Sequence, residues 1–242
     1  MRSNLLNLCI MISIFLFNQV NGQSYYIQKQ GDPNGINKWY MGRQIAQVMS
    51  HFGIEWLERE EREFEERTSL LLKNLELKPG LMVADIGAGS GYHSRLISSR
   101  IGNGKVYAVD IEPVMLEFIE DRNRKEGIQN IKTVLSTETS VSLPASSIDI
   151  MILVDVYHEF AFPFEMAISM HKALKADGKL FLVEFRAEDN RVPIKAIHKM
   201  SEAQAVKEFK QAGFRLVENK NNLPWQHCMV FAKNVNGTSP YK

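Results

Sequence analysis

From residue 81 onward, apolar strand-like segments alternate with segments of helical periodicity, and this alternation limits the fold more than any other feature of the sequence. Strands and helices in repeated alternation predict parallel strands joined by crossover helices. The longest apolar run, residues 147–156, is typical of a strand that is covered on both faces. Strands are predicted at residues 81–86, 105–110, 131–135, 147–156 and 178–185.

The last two strand-like segments, residues 214–219 and 227–232, are joined by a short loop without a helix. A parallel connection needs a longer crossover, so these two strands are expected to pair antiparallel at one edge. The sequence therefore predicts an α/β fold with a doubly wound, mostly parallel seven-stranded sheet and an antiparallel edge strand.

The composition of the chain fits one globular domain and excludes a nucleic-acid surface. Of 242 residues, 45% are hydrophobic and 24% are charged, with a formal net charge of +1. This composition supports a sizeable core. Because no cluster of lysine and arginine is interleaved with aromatic residues, no nucleic-acid partner is expected.

A glycine-rich turn follows the first predicted strand, in the stretch VADIGAGSGYHS at residues 83–94. Gly87, Gly89 and Gly91 lie between this strand and a helix, where a backbone without Cβ atoms can approach a ligand closely. In open α/β sheets, ligands bind at the carboxyl ends of the strands. The turn therefore predicts a nucleotide-type ligand at this end of the sheet.

Two acidic residues beside the turn narrow the choice of ligand. A dinucleotide fingerprint needs a third glycine at its sixth position, which is Tyr92 here. Asp85, two residues before Gly87, would repel a pyrophosphate but attract an ammonium group. Asp110 ends the next strand, 23 residues after Gly87, at the usual spacing of a carboxylate that binds ribose hydroxyls. A ligand with a ribose and an ammonium but no phosphate fits S-adenosyl-L-methionine.

The stretches VADIGAGSGYHS and KVYAVDIEPVMLEFIE resemble the first two motifs of class I S-adenosylmethionine-dependent methyltransferases. The resemblance runs from about residue 68 to residue 232 and includes IDIMILVDVYHEF, LKADGKLFLVEF and the terminal strand pair. Within that superfamily, the chain looks like the exported bacterial members of the small-molecule methyltransferase-domain group. The resemblance implies a Rossmann-like fold and S-adenosyl-L-methionine as the cofactor. The stretches GAGSGYHS and GNGKVYAVD are also similar to protein-isoaspartate methyltransferases.

The resemblance also implies individual roles. The methionyl part of the cofactor is assigned to Asp85 and the three glycines, the ribose to Asp110, and the face of adenine to Ile111. For the adenine amino group, the stretch LSTETSVSLP departs from the family pattern and offers Thr137 or Glu138. Asp155, at the end of the fourth strand, is expected beside the transferring methyl. The predicted cofactor-binding residues are Asp85, Gly87, Gly89, Gly91, Asp110, Ile111, Glu138 and Asp155.

Residues after the fourth strand are candidates for the acceptor side. Methyl transfer from a sulfonium needs alignment and the exclusion of water, and it needs a base only if the acceptor arrives protonated. Tyr157 offers an aromatic face to the sulfonium, and His158 can take a proton. A packing or capping role is the alternative for His158, and Glu159 is expected in solvent or at a helix start. No metal site is predicted, because four scattered histidines show no metal-ligand spacing; they are His51, His171, His198 and His227.

Two segments are expected to form a lid over the acceptor, residues 39–60 and 186–200. Their apolar residues predict a small, partly apolar acceptor; they are Trp39, Met41, Phe52, Trp56, Ile194, Ile197 and Met200. The preferred function is methyl transfer to a small molecule by in-line substitution. The alternatives are an S-adenosylmethionine-binding protein without transfer activity, a protein-isoaspartate-like methyltransferase, and a nicotinamide oxidoreductase.

The N-terminal part of the chain differs from the rest. Residues 1–22, with Arg2 before the apolar residues 5–17, predict a signal peptide cleaved after Gly22 and export to the periplasm or medium. The alternative is an uncleaved anchor with the protein facing the cytoplasm. Residues 23–67 are interpreted as a linker and an N-terminal helical cap, with a charged amphipathic helix from residue 57 whose charges face solvent. Residues 68–233 form the predicted methyltransferase domain, and residues 234–242 a flexible tail.

Overall fold

The computed structural model describes residues 25–234 of the chain. Strands and helices alternate through most of this range, as the periodicity predicts. In chain order, the strands are β1 (Tyr26–Gln28), β2 (Gly35–Tyr40), β3 (Arg43–Ala46), β4 (Met82–Ile86), β5 (Lys105–Asp110), β6 (Ile131–Leu135), β7 (Ile148–Val154), β8 (Leu174–Phe185), β9 (Phe214–Asn219) and β10 (Gln226–Lys233). The helices are α1 (Ile54–Leu57), α2 (Arg62–Glu66), α3 (Thr68–Asn74), α4 (Tyr92–Ser98), α5 (Pro113–Glu126), α6 (Pro163–Ala173) and α7 (Glu202–Gln211).

Seven strands form the central sheet in the order β6-β5-β4-β7-β8-β10-β9. Strands β4 to β8 run parallel to one another, and β10 runs antiparallel to both β8 and β9. The predicted Rossmann-like fold is therefore confirmed, with β10 as the antiparallel strand next to the edge strand β9. Between β4 and β7 the strand order reverses, and ligands bind at this switch point in open α/β sheets.

Both faces of the central sheet are covered, which explains the continuous apolar sequence of β7. On one face, α6 and α7 contribute to a core in which the rings of Phe209 and Phe231 stack with centroids 4.6 Å apart. On the other face, Leu71 and Ile97 pack against Phe181. Burial on both sides fixes the strand register and thus the position of the loops at the strand ends.

The N-terminal segment differs from its prediction. Strands β1, β2 and β3 form an antiparallel sheet, so the interpretation of this part of residues 23–67 as a linker and a helical cap is wrong. Met41 and Gly42 have φ values of 48° and 100° and join Tyr40 to Arg43 in a two-residue hairpin turn. Such turns need positive φ at both central residues. The apolar residues around this turn recur at a spacing that is also typical of an amphipathic helix, which explains the wrong prediction.

The predicted charged helix from residue 57 to residue 77 is also wrong, because three short helices, α1, α2 and α3, occupy this part of the chain. Arg67, with φ of 52°, separates α2 from α3. The charges are not all in solvent either: Arg62 and Glu66 are each 3% exposed and form a salt bridge of 2.9 Å. A buried charge is tolerated only when it is paired in this way.

Two predictions concern residues that the structure does not describe, namely the signal peptide at residues 1–22 and nearly all of the tail at residues 234–242. Within residues 25–234, none of the helices combines the length and the apolar character that crossing a bilayer requires.

Candidate active site

A cavity of about 400 Å³ lies at the carboxyl ends of β4, β5 and β7. The glycine turn after β4 forms one part of its wall, and the segment after β7 forms another. Most of the predicted cofactor residues line it, and the turn containing Gly91 opens helix α4 beside it. The predicted residues that line it are Asp85, Gly87, Gly89, Asp110, Ile111, Glu138, Asp155 and His158.

The glycine turn has a backbone that only glycine adopts readily. Gly87, Gly89 and Gly91 have φ values of 70°, 53° and 75°. A Cβ on Gly87 would lie 2.3 Å from Val156 Cγ2, and one on Gly89 would lie 2.8 Å from Leu57 Cδ1. These distances are far below van der Waals contact, so the turn is packed too closely for side chains. The backbone is therefore left as the lining of the cavity at this point.

Asp110 connects the end of β5 to the glycine turn. Its Oδ2 accepts a hydrogen bond from Gly89 N at 2.8 Å, and its Oδ1 accepts one from Glu112 N at 2.9 Å. Burial raises the pKa of Asp110, although these backbone hydrogen bonds lower it. Each carboxylate oxygen keeps further acceptor capacity, so the side chain can also receive two hydroxyl donors of a ligand.

Asp85, at the end of β4, is buried and accepts a hydrogen bond from Ser94 Oγ at 2.7 Å. Burial raises the pKa of Asp85 from 3.8 to about 6. Between about pH 4 and pH 6, the folded protein therefore holds a proton that the unfolded chain has released. The stability of the ligand-free protein falls as pH rises through this range. A cationic ligand would offset the unfavourable charge of this carboxylate.

Asp155 follows β7 with a φ of 50°. Its Oδ2 accepts a hydrogen bond from Gln226 Nε2 at 2.7 Å, whereas its buried Oδ1 has no hydrogen-bond partner within the described part of the chain. Burial raises the pKa of Asp155 well above its ordinary value, and the nearby carboxylate of Glu66 raises it further. A buried acceptor without a partner is costly, so this oxygen is suited to a donor supplied by a ligand.

Ile111 and Glu138 lie at the rim of the cavity. Ile111 is 40% exposed, which leaves an apolar surface suited to the face of an aromatic ring. Glu138 is exposed in the turn that follows β6, next to the bridge between Thr137 and Ser140. The positions of both side chains are compatible with the predicted contacts to adenine.

His158 lies on the other side of the cavity in a network of buried groups. Its Nδ1 lies 2.6 Å from Glu184 Oε2, and its Nε2 lies 3.1 Å from His198 Nδ1. Burial alone would lower the pKa of His158, but the negative charge of Glu184 and the hydrogen bond to it raise the pKa above its ordinary value. For His198, burial lowers the pKa, and the neighbouring His158 lowers it further.

Glu159 is placed differently from its predicted role in solvent or at a helix start. It is 7% exposed and lines the cavity next to His158. Burial raises the pKa of Glu159 to about 7. Its Oε2 accepts a hydrogen bond from Met49 N at 3.1 Å, and Oε1 lies 3.8 Å from His158 Nε2.

Tyr157 does not face the acceptor side, and that prediction is wrong. Its side chain is fully buried in the core, where the ring lies 4.8 Å from the ring of Phe209 and 5.6 Å from that of Phe160. Residues 157–159 form one turn of 3₁₀ helix. Successive side chains on such a turn point in different directions, so Tyr157 enters the core while its neighbour His158 lines the cavity.

The two predicted lid segments both contribute to the cavity wall. Trp56 and Ile194 line it, as does His198 from the second segment, which sequence reasoning set aside. The other predicted lid residues do not belong to the wall; they are Trp39, Met41, Phe52, Ile197 and Met200.

Glu58 fixes the first of these segments to the glycine turn. Its carboxylate accepts hydrogen bonds from Ser90 Oγ at 2.6 Å, from Arg95 at 2.9 Å and from Arg122 at 2.6 Å. These three residues belong to the glycine turn, α4 and α5. Residues 54–66 are thereby held over the cavity.

Comparison with known proteins identifies the domain. The family model described as a methyltransferase domain matches residues 84–182, from β4 into β8. Residues 84–182 are a methyltransferase domain. The fold of this methyltransferase domain is shared with a solved S-adenosylmethionine-dependent methyltransferase from Aquifex aeolicus, with a TM-score of 0.71. That likeness covers 76% of this chain and 98% of the other at 22% sequence identity, so it shows the fold alone.

Curated relatives of the methyltransferase domain carry names for different acceptors. A protein-L-isoaspartate O-methyltransferase of Pyrococcus horikoshii is 29% identical over 114 residues, which cover 47% of this chain and 49% of that protein. A ubiquinone/menaquinone biosynthesis C-methyltransferase of Legionella pneumophila is 32% identical over 111 residues, which cover 45% and 44%. The chain thus spans about half the length of these two relatives.

The methyltransferase cofactor S-adenosyl-L-methionine fits the residues of the cavity. Ammonium and ribose hydroxyl groups are hydrogen-bond donors, and Asp85, Asp110 and the unpartnered oxygen of Asp155 are acceptors at one end of the sheet. The glycine turn leaves space that Cβ atoms would narrow. These residues would hold the cofactor, with Ile111 and Glu138 at the position suited to adenine.

Proposed function

We propose that this protein transfers a methyl group from S-adenosyl-L-methionine to a small-molecule acceptor by in-line substitution. One observation carries the proposal: a single cavity joins the carboxylates of Asp85 and Asp110 to the cluster of His158, Glu159 and His198. The first group suits the cofactor, and the second provides polar side chains for an acceptor. Asp155 lies between the two groups in the chain and lines the same cavity.

The residues of the chain have separate tasks in this reaction. When bound, S-adenosylmethionine supplies a methyl group on a sulfonium, which becomes a neutral thioether after transfer. Asp85 and Asp110 bind the donor molecule and fix its orientation, which lowers the entropic barrier to transfer. The lid residues Trp56 and Ile194 contribute apolar surface to the cavity wall. His158 orients the acceptor.

The size of the cavity favours a small acceptor. Sites for small molecules and cofactors typically have volumes of about 300–1,000 Å³, and this cavity of about 400 Å³ must hold the donor and the acceptor together. A protein carboxylate as acceptor, as the name of the Pyrococcus horikoshii relative describes for that protein, is a less suitable choice because residues of both lid segments narrow the cavity wall.

The experiment is an assay of methyl transfer with a pool of small hydroxyl, thiol, amine and carboxylic acid compounds. S-adenosylhomocysteine formation is followed by mass spectrometry, with an isoaspartyl peptide tested in parallel. We expect acceptor-dependent product with the small compounds. In His158→Gln, kcat should fall while the Kd of the cofactor stays nearly constant, because the residue serves the acceptor.

Two outcomes contradict the proposal. Cofactor binding without any acceptor-dependent S-adenosylhomocysteine favours a binding protein without transfer activity. Methylation of the isoaspartyl peptide alone favours the protein-isoaspartate type. A separate outcome concerns only the role of His158: equal losses of kcat and cofactor affinity in His158→Gln indicate that this residue is structural.

We also propose that the protein is exported and that its signal peptide is cleaved near Gly22. The support is the arrangement of Arg2 and the apolar residues 5–17 before small and polar residues. N-terminal sequencing of the protein from its native host tests this proposal. A mature start near Gln23 supports it, whereas an intact Met1 in the membrane fraction supports an uncleaved anchor.

A further inference from the structure

Two imidazole nitrogens and one carboxylate oxygen meet on the acceptor side of the cavity. His158 Nε2 lies 3.1 Å from His198 Nδ1 and 3.8 Å from Glu159 Oε1, and the ligand atoms of the three residues all lie within 4.8 Å of one another. Two atoms bound to one zinc ion at about 2.0–2.1 Å are about 2.9 Å apart at a right angle and about 3.4 Å apart at a tetrahedral angle. The two nitrogens therefore already have ligand spacing, and the Glu159 carboxylate lies close enough to be the third ligand.

The environment of His158 prepares its Nε2 for a cation. Its Nδ1 lies 2.6 Å from Glu184 Oε2, and Glu184 is fully buried and also accepts a hydrogen bond from Tyr157 N at 2.8 Å. When Nδ1 carries the proton that it donates to this carboxylate, the neutral ring keeps the lone pair of Nε2 for the cluster. Metal-binding histidines commonly have such a carboxylate on their other nitrogen.

The charges around the cluster also favour a cation. Glu159 and Glu184 are two buried carboxylates beside His158. The guanidinium of Arg43 donates to His158 O at 3.0 Å but forms a bidentate pair with Glu208 at 2.9 and 3.0 Å. Its charge is therefore balanced elsewhere. Buried carboxylates need a compensating positive charge, and a divalent ion on the cluster adds to the charge of Lys195, which lines the same cavity.

We propose that His158, Glu159 and His198 bind one divalent first-row transition-metal ion, such as zinc, in the cavity. Two imidazoles and one carboxylate form a known ligand set for such ions, and nitrogen ligands favour them over magnesium and calcium. This proposal replaces the sequence-based prediction of no metal site. Three protein ligands leave at least one coordination position open for a small molecule.

The open coordination position indicates that the acceptor is a hydroxyl or thiol compound. This inference rests on the proposed methyl transfer. A hydroxyl or thiol bound to the ion has a lowered pKa, so it releases its proton to water. A lone pair of the resulting oxygen or sulfur then forms a bond to the methyl carbon while the carbon–sulfur bond of the donor breaks. The ion undergoes no change of oxidation state.

The experiment measures metal binding directly, without activity. The full chain, without a polyhistidine tag and freed of metal by a chelator, is titrated with Zn²⁺ by calorimetry and with Co²⁺ by visible absorption. We expect one ion per chain with either metal, Co²⁺ bands typical of low coordination number, and no binding of Mg²⁺ at the same concentrations.

Variants locate the ion. Losing a residue that only hydrogen-bonds to a ligand already lowers metal affinity by about 10–100-fold. His198 and Glu159 are proposed as ligands themselves, so His198→Gln and Glu159→Gln should each weaken Zn²⁺ binding at least tenfold. His171→Gln is the matched control, because His171 is half-buried against Phe214 outside the cavity, and its affinity should equal that of the unmodified protein. Thermal unfolding establishes that each variant is folded.

Three results overturn the metal site: no bound ion, unchanged affinity in both cluster variants, or an equal loss in His171→Gln. Failure of the metal site is distinguishable from failure of the proposed function. Intact binding of S-adenosylhomocysteine with no bound Zn²⁺ rejects the metal site alone.

Discussion

Replacing Asp110 with asparagine tests the assignment of the ribose-binding carboxylate. In the structure, Oδ2 accepts a hydrogen bond from Gly89 N and Oδ1 accepts one from Glu112 N. Asparagine has one oxygen, so its amide nitrogen must face one of these two N–H groups and cannot accept a bond from a ribose hydroxyl. The variant therefore loses the charge, one ligand bond and one backbone bond while nearly keeping the shape of the side chain.

The size of the effect follows from these contacts. A hydrogen bond to a charged group contributes about 1.5–3 kcal/mol, and a neutral one about 0.5–1.5 kcal/mol. If one bond to a ribose hydroxyl is lost and the other is weakened, the free energy of cofactor binding falls by about 3 kcal/mol, which is roughly a 100-fold rise in Kd. Calorimetric titration with S-adenosylhomocysteine at constant pH measures this change.

Asp149→Asn is the matched control for this prediction. Asp149 also accepts a hydrogen bond from a backbone N–H, that of Met82 at 2.9 Å, and pairs with Lys175 at 2.7 Å. It lies at the opposite end of the sheet from the cavity, so its replacement should leave Kd unchanged. If folded Asp110→Asn binds within about threefold of the unmodified protein, a range well below the 1.4 kcal/mol of a tenfold change, the reasoning about Asp110 is refuted.

Three further substitutions have defined outcomes. Asp85→Asn should raise the free energy of unfolding of the ligand-free protein at pH 7 by about 1–3 kcal/mol, because burial raises the pKa of Asp85 to about 6. Calorimetry should show weaker cofactor binding in the same variant. A gain in both stability and cofactor affinity would contradict the assignment of Asp85 to the cofactor. Gly87→Ala should lower the free energy of unfolding, measured by chemical denaturation, by at least about 2 kcal/mol, because its Cβ would lie 2.3 Å from Val156. Gly127 has a similar φ of 68° but open space around it, so Gly127→Ala should lower the same quantity by only about 1 kcal/mol. Equal losses in the two variants would contradict the role of the Val156 contact. Glu58→Gln should lower stability by about 1–2 kcal/mol and expose residues 54–66 to limited proteolysis, and an unchanged cleavage pattern contradicts its role in holding the lid.

The fold of the central sheet was predictable because local pattern and tertiary structure agree there. The apolar run of β7 is buried on both faces, and α5 begins with Pro113, a residue favoured in the first turn of a helix. The N-terminal hairpin was not predictable from periodicity, since its turn at Met41 and Gly42 lacks the usual asparagine or aspartate.

The site was predictable only where its residues are close in sequence to the glycine turn or a strand end. Asp85 is the last residue but one of β4, Asp110 ends β5 and Asp155 directly follows β7, and parallel strands bring these ends together. His198 lies 40 residues after His158, on a loop whose path no local pattern specifies. The contact between the two histidines therefore emerges only from the tertiary structure.

The central claim is that the cavity at the carboxyl ends of β4, β5 and β7 binds S-adenosylmethionine. Calorimetric titration of the full chain with S-adenosylhomocysteine, with NADH titrated in parallel, tests it most directly. We predict one S-adenosylhomocysteine bound per chain and no binding of NADH, because Asp85 repels a pyrophosphate. Binding of NADH, or no heat of binding with S-adenosylhomocysteine, contradicts the claim.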